Sequence, residues 1–195
     1  MKIRGMGFVS AIGLSLVIIG CGGAAPPAQE AAPAAAPAPA PGGAAVRADL
    51  IKDWERQKAT LLAIADAMPE DKFGFKPTPA QESFAQRLMH VAGIDLKLVS
   101  TLGGKTSPPM VNVQATSKAD VVAALRQVND FGAAVLKEFN DQQLAERVAS
   151  LPFLGPTASR LRVIYFSMTH SQDIYGQLVV YLRLSGITPP ASNRP

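Results

Sequence analysis

The chain has 195 residues, 48% of them hydrophobic, with 19 Lys and Arg against 15 Asp and Glu and a single cysteine. The formal charge of +4 comes with no arginine cluster and no interleaved aromatics, which argues against nucleic acid as a partner. Lys2 and Arg4 belong to a leader; without them 17 basic residues face 15 acidic ones, a net of +2.

Residues 1–20 combine that basic start with an apolar run from Phe8 to Ile19 and a small residue, Gly20. This is the pattern of a secretory signal peptide. The run is too short and too glycine-interrupted for a transmembrane helix, which needs about 20 apolar residues. Ile18-Ile19-Gly20-Cys21 resembles the lipobox of bacterial lipoproteins. That resemblance implies cleavage before Cys21, lipidation of its thiol, and the membrane as a partner through it. Cys21 is also the only cysteine, and a lone thiol in an oxidising compartment is a liability unless capped. Gly22, rather than aspartate, follows it, as in lipoproteins passed to an outer membrane. The expected address is the cell envelope, lipid-anchored on the periplasmic face of the outer membrane.

Residues 21–45 are almost entirely Ala, Pro and Gly after the cysteine. With no large apolar side chains to bury, such a segment is expected to be a disordered linker. Its Ala-Pro alternation favours an extended tether at about 3.1 Å per residue. Residues 46–195 then form one domain of roughly 150 residues, enough for a single core.

Four helices are legible in that domain. The first spans Val46 to Met68, with Leu50, Trp54, Leu61, Ala65 and Met68 on one face. Pro69, Pro77 and Pro79 then make a loop. The second starts near Glu82 or Ser83 and stops at Gly103-Gly104, with Gly93 inside it as a place for close approach by another helix. Residues 105–116 form a second loop. Ser117 caps a third helix reaching Phe139, with Asp120 in its first turn. A third loop, containing Pro152 and Pro156, leads to the last helix, from Thr157 or Ala158 to Leu184 or Ser185, stopped by Gly186. No segment alternates long enough for a strand. The fold class is all-α, a four-helix bundle.

Only two histidines occur, His90 and His170, mid-helix on the second and fourth helices. Bundle ligand sites are built from such facing positions. On the last helix His170, Asp173, Ile174, Gln177 and Tyr181 share a face. Two imidazoles and one carboxylate suit zinc, iron or nickel; the bland alternative is a set of polar groups satisfying one another. Ser171 beside His170 makes no nucleophilic pair, because adjacent helix residues do not face each other. Gly103-Gly104-Lys105-Thr106 is no phosphate loop: position 99 is Val, and a helix rather than a strand precedes it.

Three stretches resemble the DinB-like family of metal-site four-helix bundles. The first, Met68 to Asp95, has Pro69-Glu70-x-x-Phe73, Pro77-Thr78-Pro79, and Ser83-Phe84 ahead of His90. The second runs from His170 to Ser192, with Tyr175-Gly176-Gln177-Leu178-Val179-Val180-Tyr181-Leu182-Arg183. The third is Trp54 with the leucines of the first helix. The resemblance implies one metal-binding histidine on the second helix and two, four apart, on the fourth. His90 and His170 match the first two; the third falls on Ile174, which cannot ligate. Asp173, three residues from His170, projects toward roughly the same face, so His90, His170 and Asp173 form a candidate reduced ligand set, with Gln177 and Tyr181 either hydrogen-bonding neighbours of it or polar groups of the bundle interior. Glu82, Asp95 and Asp173 stand near the motifs as candidate general bases.

By this resemblance the chain is a membrane-tethered metal-dependent hydrolase or small-thiol transferase acting on a small-molecule substrate. The alternative is a non-catalytic binding or structural lipoprotein that has lost its metal and has no cofactor. The sequence leaves catalysis undecided between them and leaves room for a homodimer.

Overall fold

The computed structural model describes residues 45–193. The leader, Cys21 and nearly all of the tether lie outside the described residues.

Four long helices carry the fold: α1 (Ala45–Ala67), α2 (Phe84–Ser100), α3 (Lys118–Lys137) and, after a short α4 (Asp141–Ala145), α5 (Arg160–Leu184). Their starts are chemically marked. Ser83 and Gln86 form a reciprocal capping box on α2. Ser117 accepts from the Asp120 N–H on α3, and Ser159 from the Arg162 N–H on α5. The first N–H groups of α1 are satisfied from a distance: those of Val46 and Arg47 donate to the Asp141 carboxylate at 3.1 and 2.9 Å. Gly103 and Gly186, at φ +74° and +76°, follow the ends of α2 and α5, where a side chain would strain the left-handed turn.

Helices α1 and α2 each pack against both α3 and α5. The order around the bundle is therefore α1, α3, α2, α5. Lys118 Nζ donates to the Asp66 and Met68 carbonyls, so α3 starts where α1 ends. Gly104, just past α2, lies against Val135 and Glu138 at the far end of α3, so α2 and α3 run parallel. The direction pattern is up, down, down, up. Residues 101–117 make the long return, pinned where the N–H groups of Lys105 and Thr106 donate to Glu138. Those bonds hold the Glu138 carboxyl below its usual range.

The connection between α3 and α5 holds more structure than the loop expected there. Strands β1 (Arg147–Ala149) and β2 (Thr157–Ser159) pair antiparallel, with Val148 opposite Ala158. Each has three residues, too few for alternation to show in a sequence. Gly93 also departs from expectation: Val113 of the return loop, not another helix, covers it at 3.6 Å from an added Cβ. The close approach occurs instead at Gly132 of α3. There Trp54, fully buried on α1, occupies the space a Cβ would take, and its Nε1–H donates to the Asn129 carbonyl at 2.9 Å.

Two apolar clusters fill the bundle. One holds Leu61, Leu88, Val128 and Ile174; the other holds Trp54, Leu98, Phe131 and Ile164. Along every long helix a buried polar residue separates them: Gln57 on α1, Asp95 on α2, Asn129 on α3, and Ser167 and Ser171 on α5. A polar layer thus crosses the middle of the core.

Gly132→Ala is expected to lower the unfolding free energy by about 1–3 kcal/mol through overpacking against Trp54. Gly176→Ala on α5, where an added Cβ meets nothing within 4 Å, is expected to raise it by up to about 1 kcal/mol. Urea unfolding compares the two; equal effects would contradict the role assigned to Trp54.

Candidate functional site

The two histidines meet. His90 Nε2 lies 3.2 Å from His170 Nε2, with ring centroids 5.1 Å apart. His90 is exposed and His170 half-buried. Their register follows from antiparallel pairing of α2 with α5. On one side of the pair the Tyr181 hydroxyl donates to the Glu82 carbonyl at 2.8 Å. On the other, Ser167 and Ser171 donate to Asp95, and Arg160 Nε donates to the Leu102 carbonyl at 2.8 Å.

A separation of 3.2 Å has two physical readings. One Nε2–H can donate to the other Nε2. Alternatively, both nitrogens can occupy corners of one coordination polyhedron. Metal–imidazole bonds of about 2.0–2.1 Å put two such nitrogens about 2.9 Å apart at a right angle and about 3.4 Å apart at a tetrahedral one. The observed separation lies between these two values. Burial, and then the neighbouring His90, lowers the pKa of His170, while Asp173 opposes the shift. The net effect favours the neutral imidazole a metal requires. His170 Nδ1 is buried with no hydrogen-bond partner among the described residues, so none of these orients the ring through its second nitrogen as metal sites usually do.

The remaining candidates are placed as follows. Asp173 is exposed, and its Oδ2 accepts from Gln177 Nε2 at 3.0 Å. These two satisfy each other one turn apart. Ile174 is 3% exposed and belongs to the core cluster. Tyr181 is buried, edge-on to Phe75 and tied to the Glu82 backbone. Among the described residues no three His, Cys, Asp or Glu side chains stand close enough to hold a metal together. The structure joins His90 to His170, joins Asp173 to Gln177, and sets Tyr181 in the core.

His90 also lines a cavity of about 260 Å³ beneath the return loop, together with Glu82, Gln86, Gly93, Lys97 and Gln114. Of the candidate bases, Glu82 borders this cavity and pairs with Arg87 at 3.4 Å.

Asp95 is different. It is 1% exposed and pairs with no cation among the described residues; its Oδ1 accepts from Ser167 at 2.5 Å and its Oδ2 from Ser171 at 3.0 Å. Burial pushes its carboxyl up to about 7, against the opposing pull of the two hydroxyls. Sequence position marked it only as a neighbour of the histidine motif. The signal for its burial was a carboxylate on the apolar face of α2 opposite two small hydroxyl residues.

The family model described as the DinB superfamily matches residues 53–178. A DinB-like protein from Bacillus cereus superposes with a TM-score of 0.64 at 17% identity, over 72% of this chain and 93% of its own. One from Bacillus subtilis superposes with a TM-score of 0.56 at 14% identity, over 71% and 92%. At these identities the likeness is one of fold. No curated protein matches the chain.

Asp95 gives stability a definite pH dependence. Its folded pKa of about 7 lies above the ordinary 3.8, so between those values the folded state keeps a proton the unfolded state has released. Its contribution is full at low pH, falls as pH rises from about 4 to 7, and has dropped by on the order of 4 kcal/mol above that window. Asp95→Asn keeps an acceptor for the serines but does not titrate. Urea unfolding at several pH values should show wild type losing stability relative to Asp95→Asn across this window, with the opposing contribution of His170 cancelling in the difference. Parallel profiles would contradict a buried, titrating Asp95.

Proposed function

The chain belongs to the DinB superfamily, and on that premise we propose that it is a membrane-tethered, metal-dependent hydrolase or small-thiol transferase with a reduced ligand set. The observation that carries this reading is the 3.2 Å separation of His90 Nε2 and His170 Nε2. The two imidazoles would hold a divalent ion (zinc, iron or nickel) as the protein's share of its ligands. Such an ion supplies Lewis acidity toward a substrate oxygen or thiol.

The protein's own groups do the rest. His170 stays neutral and half-buried, so it offers a lone pair at neutral pH. The cavity beside His90 receives a small molecule, and Lys97 and Gln86 on its wall give a cation and an amide to orient it. Asp173 lies one turn from His170, with its Oδ2 accepting from Gln177. The lipobox-like Ile18-Ile19-Gly20-Cys21 and the Ala/Pro tether support an anchored domain facing the periplasm.

A second reading, a metal-free binding lipoprotein, draws support from Ile174. That side chain has become part of the core, at the position where the family resemblance implies a third histidine.

Equilibrium dialysis of the full chain against zinc distinguishes the two. Close to one ion per chain is expected, with binding weakened about tenfold or more by either His90→Ala or His170→Ala. Ile174→His is expected to tighten binding by a similar factor while costing stability, since it places a polar ring in the core. Zinc uptake unchanged by the two alanine variants, or none at all, would overturn the metal-centre reading.

A further inference from the structure

The histidine pair has an apolar flank that the chemistry above does not use. Phe166 stands one turn before His170 on α5, and the two rings lie 18° from parallel with centroids 6.2 Å apart. Phe153 follows, its centroid 5.1 Å from that of Phe166. These rings lead from the surface onto a candidate ligand. On α2, Ile94 stands one turn beyond His90, level with Phe166 because the two helices run antiparallel. Ile94 packs against the same apolar cluster as Phe166 and also lines the cavity beside His90. It joins the flank to the cavity assigned to substrate.

The chain places Phe153 deliberately. It lies between β1 and β2 in the short turn Pro152–Leu154. The N–H groups of Leu154 and Gly155 close that turn by donating to the Leu151 and Pro152 carbonyls at 2.9 and 3.1 Å. Gly155, at φ +91°, sends the chain back. Leu154 is buried and anchors the tip, whereas Phe153 is left 57% exposed. A large ring on a closed turn offers contact area with little ordering entropy left to lose on binding. Gln86, Lys97 and Gln114 make the cavity's other side polar, so an apolar body meets its match on the aromatic flank.

We infer that the substrate of the histidine-pair site carries an aromatic ring, which packs on Phe153 and Phe166 while its reacting group meets the two imidazoles. The inference rests on the metal-centre reading, because the flank selects a substrate only if the pair is where that substrate reacts. Phe153 then determines specificity and takes no part in the chemistry. Aromatic rings favour offset or edge-on partners at centroid separations of roughly 4.5–7 Å, so a ring gains more here than an aliphatic chain of similar size.

The full chain, loaded with one equivalent of zinc, is titrated with three probes that share a metal-binding head: 3-phenylpropanohydroxamic, hexanohydroxamic and acetohydroxamic acids. The phenyl probe is expected to bind about tenfold tighter than the acetyl one, with the hexanoyl probe between them. In the zinc-loaded complex its ring protons should show nuclear Overhauser contacts to the Phe153 ring. Phe153→Ala should remove most of the ring's advantage while leaving the affinities for zinc and for acetohydroxamic acid unchanged. Leu184→Ala, at an exposed apolar position near the other end of α5, should leave the advantage intact. Zinc binding with no preference for the phenyl probe, or a preference retained in Phe153→Ala, overturns this inference and leaves the metal centre standing. Failure to take up zinc removes both.

Discussion

The register of α2 against α5 is the constraint on which the rest depends. Polar contacts fix it on both sides of the histidine pair: Tyr181 to the Glu82 carbonyl, the two serines to Asp95, and Arg160 to the Leu102 carbonyl. A helix turns 100° and rises 1.5 Å per residue, so a slip of one residue would carry His170 away from His90. Each imidazole stands on a long helix whose position is set by packing and by directional bonds above and below it, which is how a rigid site is held.

That alignment is bound up with a cost. Five buried polar residues lie where an apolar core would be more stable, and one of them is a carboxyl with no cation beside it. Asp95 is tolerated because two hydroxyls satisfy it and because burial keeps it protonated over much of the range below neutrality. The same bonds tie α2 to α5 one and a half turns from His90. Stability has been traded at the mid-plane for a fixed seam, as is common where a fold carries a site. Among the described residues Gln57, in the same layer, has no such partner.

Much of this was legible in the sequence, for identifiable reasons. The long helices announce themselves through 3.6-residue periodicity, a serine cap at Ser117, and glycine stops at Gly103 and Gly186. His90 and His170 stood out as the two imidazoles of the chain, each mid-helix, and they meet in the fold. The β1–β2 hairpin did not show, because three-residue strands leave no pattern. The shared face of His170, Asp173, Ile174, Gln177 and Tyr181 divides in the structure. Ile174 and Tyr181 turn inward, while Asp173 and Gln177 pair near solvent, because a face defined by spacing is wider than the line of contact with one neighbour. Asp95 was marked only as a neighbour of the histidine motif, and Gly132 not as a special position at all. Their significance lies in partners distant in sequence: two serines and the Trp54 ring.

X-ray absorption at the zinc edge, on the full chain loaded with one equivalent of zinc, tests the shared His90–His170 centre most directly. The account predicts nitrogen and oxygen neighbours at about 2.0–2.1 Å with the outer-shell scattering of two imidazoles, absent from the His90→Ala/His170→Ala chain. Zinc bound with one imidazole or none would contradict it.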